Sequence, residues 1–139
     1  MEEGKKEIGK LSERDRFILG VALYFAEGTK ADKNVSFSNS NPNAIKFMVD
    51  WFIKFCRVPI EKFRCNIYLH DNLNEKESKK YWSSLTKIPL SQFRKNYIVK
   101  TNKKRFRKTI NPYGVFRLTI NDANLHRKIM GWISGAFDL

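Results

Sequence analysis

The sequence predicts an α+β domain in which helices pack on one face of an antiparallel sheet. Three observations lead there. In some segments apolar residues recur at three- and four-residue spacing behind a capping side chain, as amphipathic helices require. In others they alternate singly, as half-buried strands require. The two kinds of segment follow in the order α, β, α, β, α, β, β, α, which suits helices laid on one face of a sheet. A chain of 139 residues fits one such domain, with residues 1–11 as a polar tail and 12–139 as the folded unit.

Each element has its own warrant in the sequence. Ser12, with Asp15 three residues on, forms a capping-box start for a helix that runs to about Glu27 and stops at Gly28. Val35 and Phe37 alternate with Ser36 and Ser38 in a short strand. Asn41 and Pro42 are the N-cap and first residue of a second helix. That helix carries Ile45, Met48, Val49, Phe52 and Ile53, and also Phe47, Trp51 and Phe55, so it is predicted to be the most buried, and it must end before Pro59. Over residues 63–70 alternation is unbroken, with Phe63, Cys65, Ile67 and Leu69 on a dry face and Arg64, Asn66, Tyr68 and His70 on a wet one. Asn74 caps a helix over about 75–85 with Tyr81, Trp82 and Leu85 inward and Pro89 beyond its exit. Residues 93–99 and 115–120 read as strands that pair as a hairpin with a long basic tip, with a turn at 111–114. In the second of them Phe116, Leu118 and Ile120 face the core while Arg117 and Thr119 face out. Asp122 opens a last helix carrying Leu125, Ile129, Trp132 and Ile133.

Charge then narrows the partner. Lys and Arg number 27 against 14 Asp and Glu, for a net +13, and a polyanion is the natural counterpart. Eight of those positive charges lie in residues 94–108 without an acid among them: Arg94, Lys95, Lys100, Lys103, Lys104, Arg105, Arg107 and Lys108. Tyr97 and Phe106 interleave with them, as on surfaces that grip nucleic acid. A solubilising loop is the alternative for this segment. The wet sheet face is expected to gather Ser36, Ser38, Arg64, Asn66, Tyr68, His70, Arg117 and Thr119, a set able to hydrogen-bond base edges and phosphates, and a β-ribbon of this kind fits the major groove. An ordinary solvated face has the same composition.

Other classes are disfavoured. No apolar run approaches the ~20 residues of a membrane span, and the N-terminus is too charged for a signal peptide, so the expectation is a soluble cytoplasmic protein that engages no membrane. Cys56 and Cys65 are too few for a disulfide scaffold and read as reduced core thiols. With His70 and His126 they offer four zinc donors, but at a spacing that matches no zinc finger. There is no Gly-rich phosphate loop and no serine in a nucleophile-elbow context.

The end of the first helix, Gly20-Val21-Ala22-Leu23-Tyr24-Phe25-Ala26-Glu27-Gly28-Thr29, carries the chemistry. Ala22 and Ala26, four apart, let another helix come close, with Leu19, Leu23 and Tyr24 as flanks. Glu27 sits in the last turn, where the helix dipole disfavours a carboxylate. An acid held against the local field beside a helix-ending Gly points to cation binding, and a solvated surface Glu is the alternative. The segment resembles the LAGLIDADG motif of homing endonucleases: Leu23, Ala26 and Gly28 match, Ala22 replaces a Gly, Glu27 stands at the second acidic position and Phe25 at the first. Further stretches are similar to uncharacterised prokaryotic proteins of that superfamily, among them 23–30, 35–40, Tyr81-Trp82, 88–93 and Gly131-Trp132, which together span most of residues 12–135.

That resemblance implies an αββαββα fold whose motif helices pack together and deliver one acid each beneath bound DNA. This chain departs from it in showing a single strand between its first two helices. With one motif per chain, two chains must meet to pair their carboxylates, so a homodimer reading a roughly palindromic site is expected, with Leu19, Ala22, Leu23 and Ala26 at the interface. Paired Glu27 would hold Mg²⁺ and serve catalysis. Family members also place basic residues near the scissile phosphate, for which Lys30, Lys95 and Lys100 are candidates. Lys30, Ser36, Ser38, Arg64, Asn66, Tyr68, His70, Arg94, Lys103, Lys104, Arg105, Arg107, Lys108 and Arg117 are the expected DNA contacts. The implied activity is site-specific cleavage of double-stranded DNA. The alternative is a regulator or intron maturase that binds DNA or structured RNA without cutting it. A protein-interaction domain is a third class, separated from both by an affinity for DNA that does not fall with salt.

Overall fold

The computed structural model describes residues 1–31, 33–100 and 111–139. Among them are five helices, α1 (Glu2–Ile8), α2 (Glu13–Glu27), α3 (Pro42–Phe55), α4 (Glu75–Thr86) and α5 (Ala123–Phe137), and four strands, β1 (Val35–Asn39), β2 (Arg64–His70), β3 (Tyr97–Val99) and β4 (Val115–Ile120). The chain is α+β, as its patterning predicts. Residues 1–11 are not a plain tail, because Glu2–Ile8 is helical; the Glu2 to Lys5 ion pair supports that turn, yet none of its residues is buried.

The caps do what the sequence assigns them. Ser12 Oγ accepts from the Asp15 amide while the Asp15 carboxylate accepts from the Ser12 amide, closing the capping box of α2. Those bonds hold the Asp15 carboxyl below its ordinary range. Asn41 and Asn74 cap α3 and α4, and Asp122 caps α5.

The sheet order is β1-β4-β2-β3. β4 is antiparallel to both β1 and β2, with Phe37 opposite Leu118 and Cys65 opposite the same Leu118. The expected hairpin between 93–99 and 115–120 does not form. Instead β3 runs parallel to β2, Tyr97 beside Tyr68, and the sheet is mixed rather than antiparallel. The reason lies in Phe93 and Asn96. The Arg94 amide donates to Cys65 O, and Asn96 Oδ1 accepts from the Ile67 amide in place of a backbone carbonyl. Both edges of β4 are already occupied by β1 and β2, so residues 93–99 take the free edge of β2.

Alternation sends Val35, Phe37, Cys65, Ile67, Leu69, Phe116, Leu118 and Ile120 to one face, all buried, where α2, α3, α4 and α5 cover them. An aromatic group of Phe17, Trp51, Phe55 and Trp132 joins α2, α3 and α5, with Phe17 edge-on to Trp132 at 4.9 Å. Gly20 makes this approach possible. A Cβ there would lie 2.0 Å from Trp51 Nε1, the atom that donates to Phe17 O. The contact turns Gly20, Val21 and Tyr24 inward and leaves Ile18 and Leu19, 39% and 45% exposed, on the opposite side of α2. Among the described residues no helix is long and apolar enough to cross a membrane.

Candidate nucleic-acid interface

α2 delivers Glu27 to its own C-terminal end, exposed and without a hydrogen bond or ion pair among the described residues. The chain then turns sharply against β1. Gly28 forms an antiparallel bridge to Phe37 and the Thr29 amide donates to Ser36 O, a rudimentary first rung between helix and strand. A Cβ on Gly28 would meet Tyr24 O at 2.6 Å and the Tyr24 ring at 2.7 Å, so the turn depends on glycine for closeness. Tyr24 locks the far side: its hydroxyl donates to Thr29 O at 2.7 Å and accepts from the Ser36 amide, and burial pushes its pKa up to about 12. His126 Nε2 stands 3.3 Å from the same Thr29 carbonyl. Lys30 is exposed, and its ammonium donates to Phe25 O and Gly28 O, both at 2.8 Å. It neutralises the negative end of the helix dipole beside Glu27.

Of the expected dimer residues, Leu19, Ala22 and Ala26 follow the outward side of α2, whereas Leu23 packs against the core. Leu19 and Ala26 are exposed while Ala22 and Leu23 are half-buried within the chain. Phe25, at the position where the resembled motif has its other acid, packs on Phe137 of α5 at 4.5 Å.

The sheet face turned away from the described helices is the second feature. Registered rows place Thr119 between Ser36 and Arg64, and Arg117 between Ser38 and Asn66, with Tyr68 and His70 further along β2. No residue of the four strands is acidic. Arg117 is fixed at the centre, its Nε donating to Ser36 Oγ and its Nη1 to Tyr68 Oη, each at 3.0 Å. Three N–H groups of its guanidinium remain beyond these two bonds, on a planar fork that the two bonds hold in place. Ser36, expected on an open polar face, is buried at 4% exposure and acts by holding Arg117. Arg64 curls back, donating to Glu61 O and Phe63 O, and braces the turn before β2. Ser38, Asn66 and Thr119 are half-buried and His70 is exposed.

Arg94, Lys95 and Lys100 are exposed around β3. Lys103, Lys104, Arg105, Arg107 and Lys108 lie outside the described residues. Glu27 sits beyond the β1 edge and β3 forms the opposite edge, three strand spacings or ~14 Å across, so the fold does not bring Lys95 or Lys100 to the carboxylate of the same chain. Among the described residues no group of three His, Cys, Asp or Glu gathers at a metal-binding distance. Cys56 and Cys65 are free thiols whose burial pushes both up to about 12.

Comparison of the chain with protein-family models, curated proteins and solved structures finds no match. The chemistry is therefore read from the residues. Two of those that shape the site escape a pattern reading. Asn96 looks like one polar residue in a basic run, yet it is buried and ties β2 to α4 through Glu75 Oε1. Ser36 hides behind simple alternation. A buried Asn between Phe93 and Tyr97 breaks the strand period, and that break was the available signal.

Proposed function

We propose that the chain is a homodimeric, Mg²⁺-dependent endonuclease of the LAGLIDADG homing type, acting on double-stranded DNA. The observation that carries this reading is the outward side of α2, an apolar strip of Ile18, Leu19, Ala22 and Ala26 that ends at the unpaired carboxylate of Glu27. An exposed apolar strip on a helix calls for a partner, and small residues at Ala22 and Ala26 let an identical helix approach closely. A two-fold axis through that strip brings two Glu27 side chains together beneath two polar sheet faces.

Among the described residues the donor at this helix end is the carboxylate of Glu27, because Lys30 already occupies the neighbouring carbonyls. Mg²⁺ is held by one or two carboxylates together with waters and substrate phosphate, so one Glu27 would supply the minimum and a pair from two chains the fuller share. When bound, the ion supplies an activated water and neutralises charge on the leaving oxygen. The chain's own residues hold the DNA in place. Arg117 presents three donors to phosphates or guanine edges. Ser38, Asn66 and Thr119 line the rows beside it, and a β1–β4 ribbon with strands ~5 Å apart suits a major groove ~12 Å wide.

The test combines wild type and Glu27→Gln with duplex DNA in Mg²⁺. Cleavage by wild type and binding without cleavage by Glu27→Gln support the reading. Cleavage by both removes Glu27 from the chemistry. A second reading, a binding module that does not cut, is favoured by the Phe25 contact with Phe137, which puts an aromatic ring where the resembled motif has its other acid. Equal binding and no cleavage by either protein would select it.

A further inference from the structure

β3 is an outer strand of the described sheet, with β2 as its neighbour. Its residues are open, Tyr97 at 56% exposure. The Tyr97 ring stacks on Tyr68 with centroids 4.7 Å apart and planes 9° from parallel. That separation equals the spacing of adjacent strands, so the two rings stand side by side on the sheet. The inner ring is held, because Tyr68 Oη accepts from Arg117. The second face of Tyr97 is therefore turned to the sheet's outer edge. A concavity of 410 Å³ on this edge is lined by Lys95, Asn96, Tyr97 and Ile98. Asn96 is rigid in that lining, since its amide oxygen accepts from the Ile67 amide and its nitrogen donates to Glu75.

The edge thus offers a planar π-face at the end of an existing stack and an ammonium beside it. Stacking with an adjacent cation matches a nucleobase and its phosphate. Bases inside a duplex are covered on both faces and expose only their edges, so they cannot lie on Tyr97; an unpaired base can. We propose that this concavity takes an unpaired base of a DNA strand, stacked as a third layer on Tyr97 and Tyr68, with Lys95 at its phosphate. The assignment rests on the chain being a DNA-binding protein and adds a contact that paired DNA does not make.

Fluorescence anisotropy on the full chain tests it, with one labelled blunt duplex and the same duplex carrying a single-stranded oligothymidine extension. The extension should strengthen binding to wild type about tenfold, as one stacked base does. Tyr97→Leu should abolish that gain while Tyr97→Phe, which keeps the π-face, retains it. A blunt duplex bound without any gain from the extension, or a gain that survives in Tyr97→Leu, overturns the proposal and leaves duplex recognition standing. Binding of the extended strand through Tyr97 without binding of the blunt duplex supports the proposal and removes the duplex reading. Capture of neither DNA overturns both.

Discussion

Gly20→Ala is the sharpest test of how α2 is seated. The new Cβ would lie 2.0 Å from Trp51 Nε1, 2.2 Å from Cδ1 and 2.4 Å from Cε2, so the indole must move. Trp51 is 2% exposed and ringed by Phe17, Phe52, Phe55 and Trp132, which leaves it little room to retreat. Overpacking of this kind costs about 1–3 kcal/mol. Displacing the indole also loses its bond to Phe17 O, worth about 1 kcal/mol. Against this, replacing glycine inside a helix gains about 1 kcal/mol. The net expectation is a destabilisation of about 2 kcal/mol, read as a lower urea midpoint with an unchanged slope. Gly131→Ala on α5, where a Cβ meets nothing within 4 Å, keeps only the propensity gain and should stabilise by up to about 1 kcal/mol. If Gly20→Ala is as stable as wild type or more so, the close contact between α2 and Trp51 is wrong, and with it the assignment of the outward side of that helix.

Two further outcomes follow from the packing. Asn96→Ala removes the acceptor for the Ile67 amide and should cost about 1–3 kcal/mol, with loss of amide-exchange protection at Ile67; full protection there would refute the Asn96 bridge. Stability should also fall in alkali. Burial raises the folded pKa of Tyr24 from 10.0, and of Cys56 and Cys65 from 9.0, to about 12 in each case. The folded chain keeps protons that the unfolded chain releases, so stability is complete below pH 9 and declines as pH rises toward 12. Urea midpoints measured across that range should drop, and Tyr24→Phe should flatten the part above pH 10. A level midpoint up to pH 11 would show these groups to be solvated.

Helices were legible because their ends are written in side chains. Ser12 with Asp15, Asn41 with Pro42, Asn74 and Asp122 each mark a start by satisfying amides that the helix leaves open. Strands β1, β2 and β4 were legible because a dry face demands alternation. The partner of residues 93–99 was not. Strand pairing is a long-range choice, settled here by the Asn96 side chain standing in for a carbonyl, and alternation within one segment carries no record of it. The site divides in the same way. Glu27 could be placed at a helix end from local pattern alone, whereas the clamp of Ser36 and Tyr68 on Arg117 joins three strands and depends on their register.

The proposed function requires two α2 helices to meet and bring paired Glu27 beneath bound DNA. Ala26→Cys measures that meeting directly. Ala26 is exposed one residue before Glu27, and burial holds the native thiols of Cys56 and Cys65 well above the range in which they react. A disulfide needs Cβ atoms about 4 Å apart, a separation that small residues facing each other across the axis provide. On duplex DNA under mild oxidation, Ala26→Cys should give a covalent dimer, and Ser91→Cys, exposed on the short turn Leu90–Gln92 that packs against α4, should give none. A protein that binds DNA yet stays monomeric on a denaturing gel in both variants would contradict the meeting of the two helices.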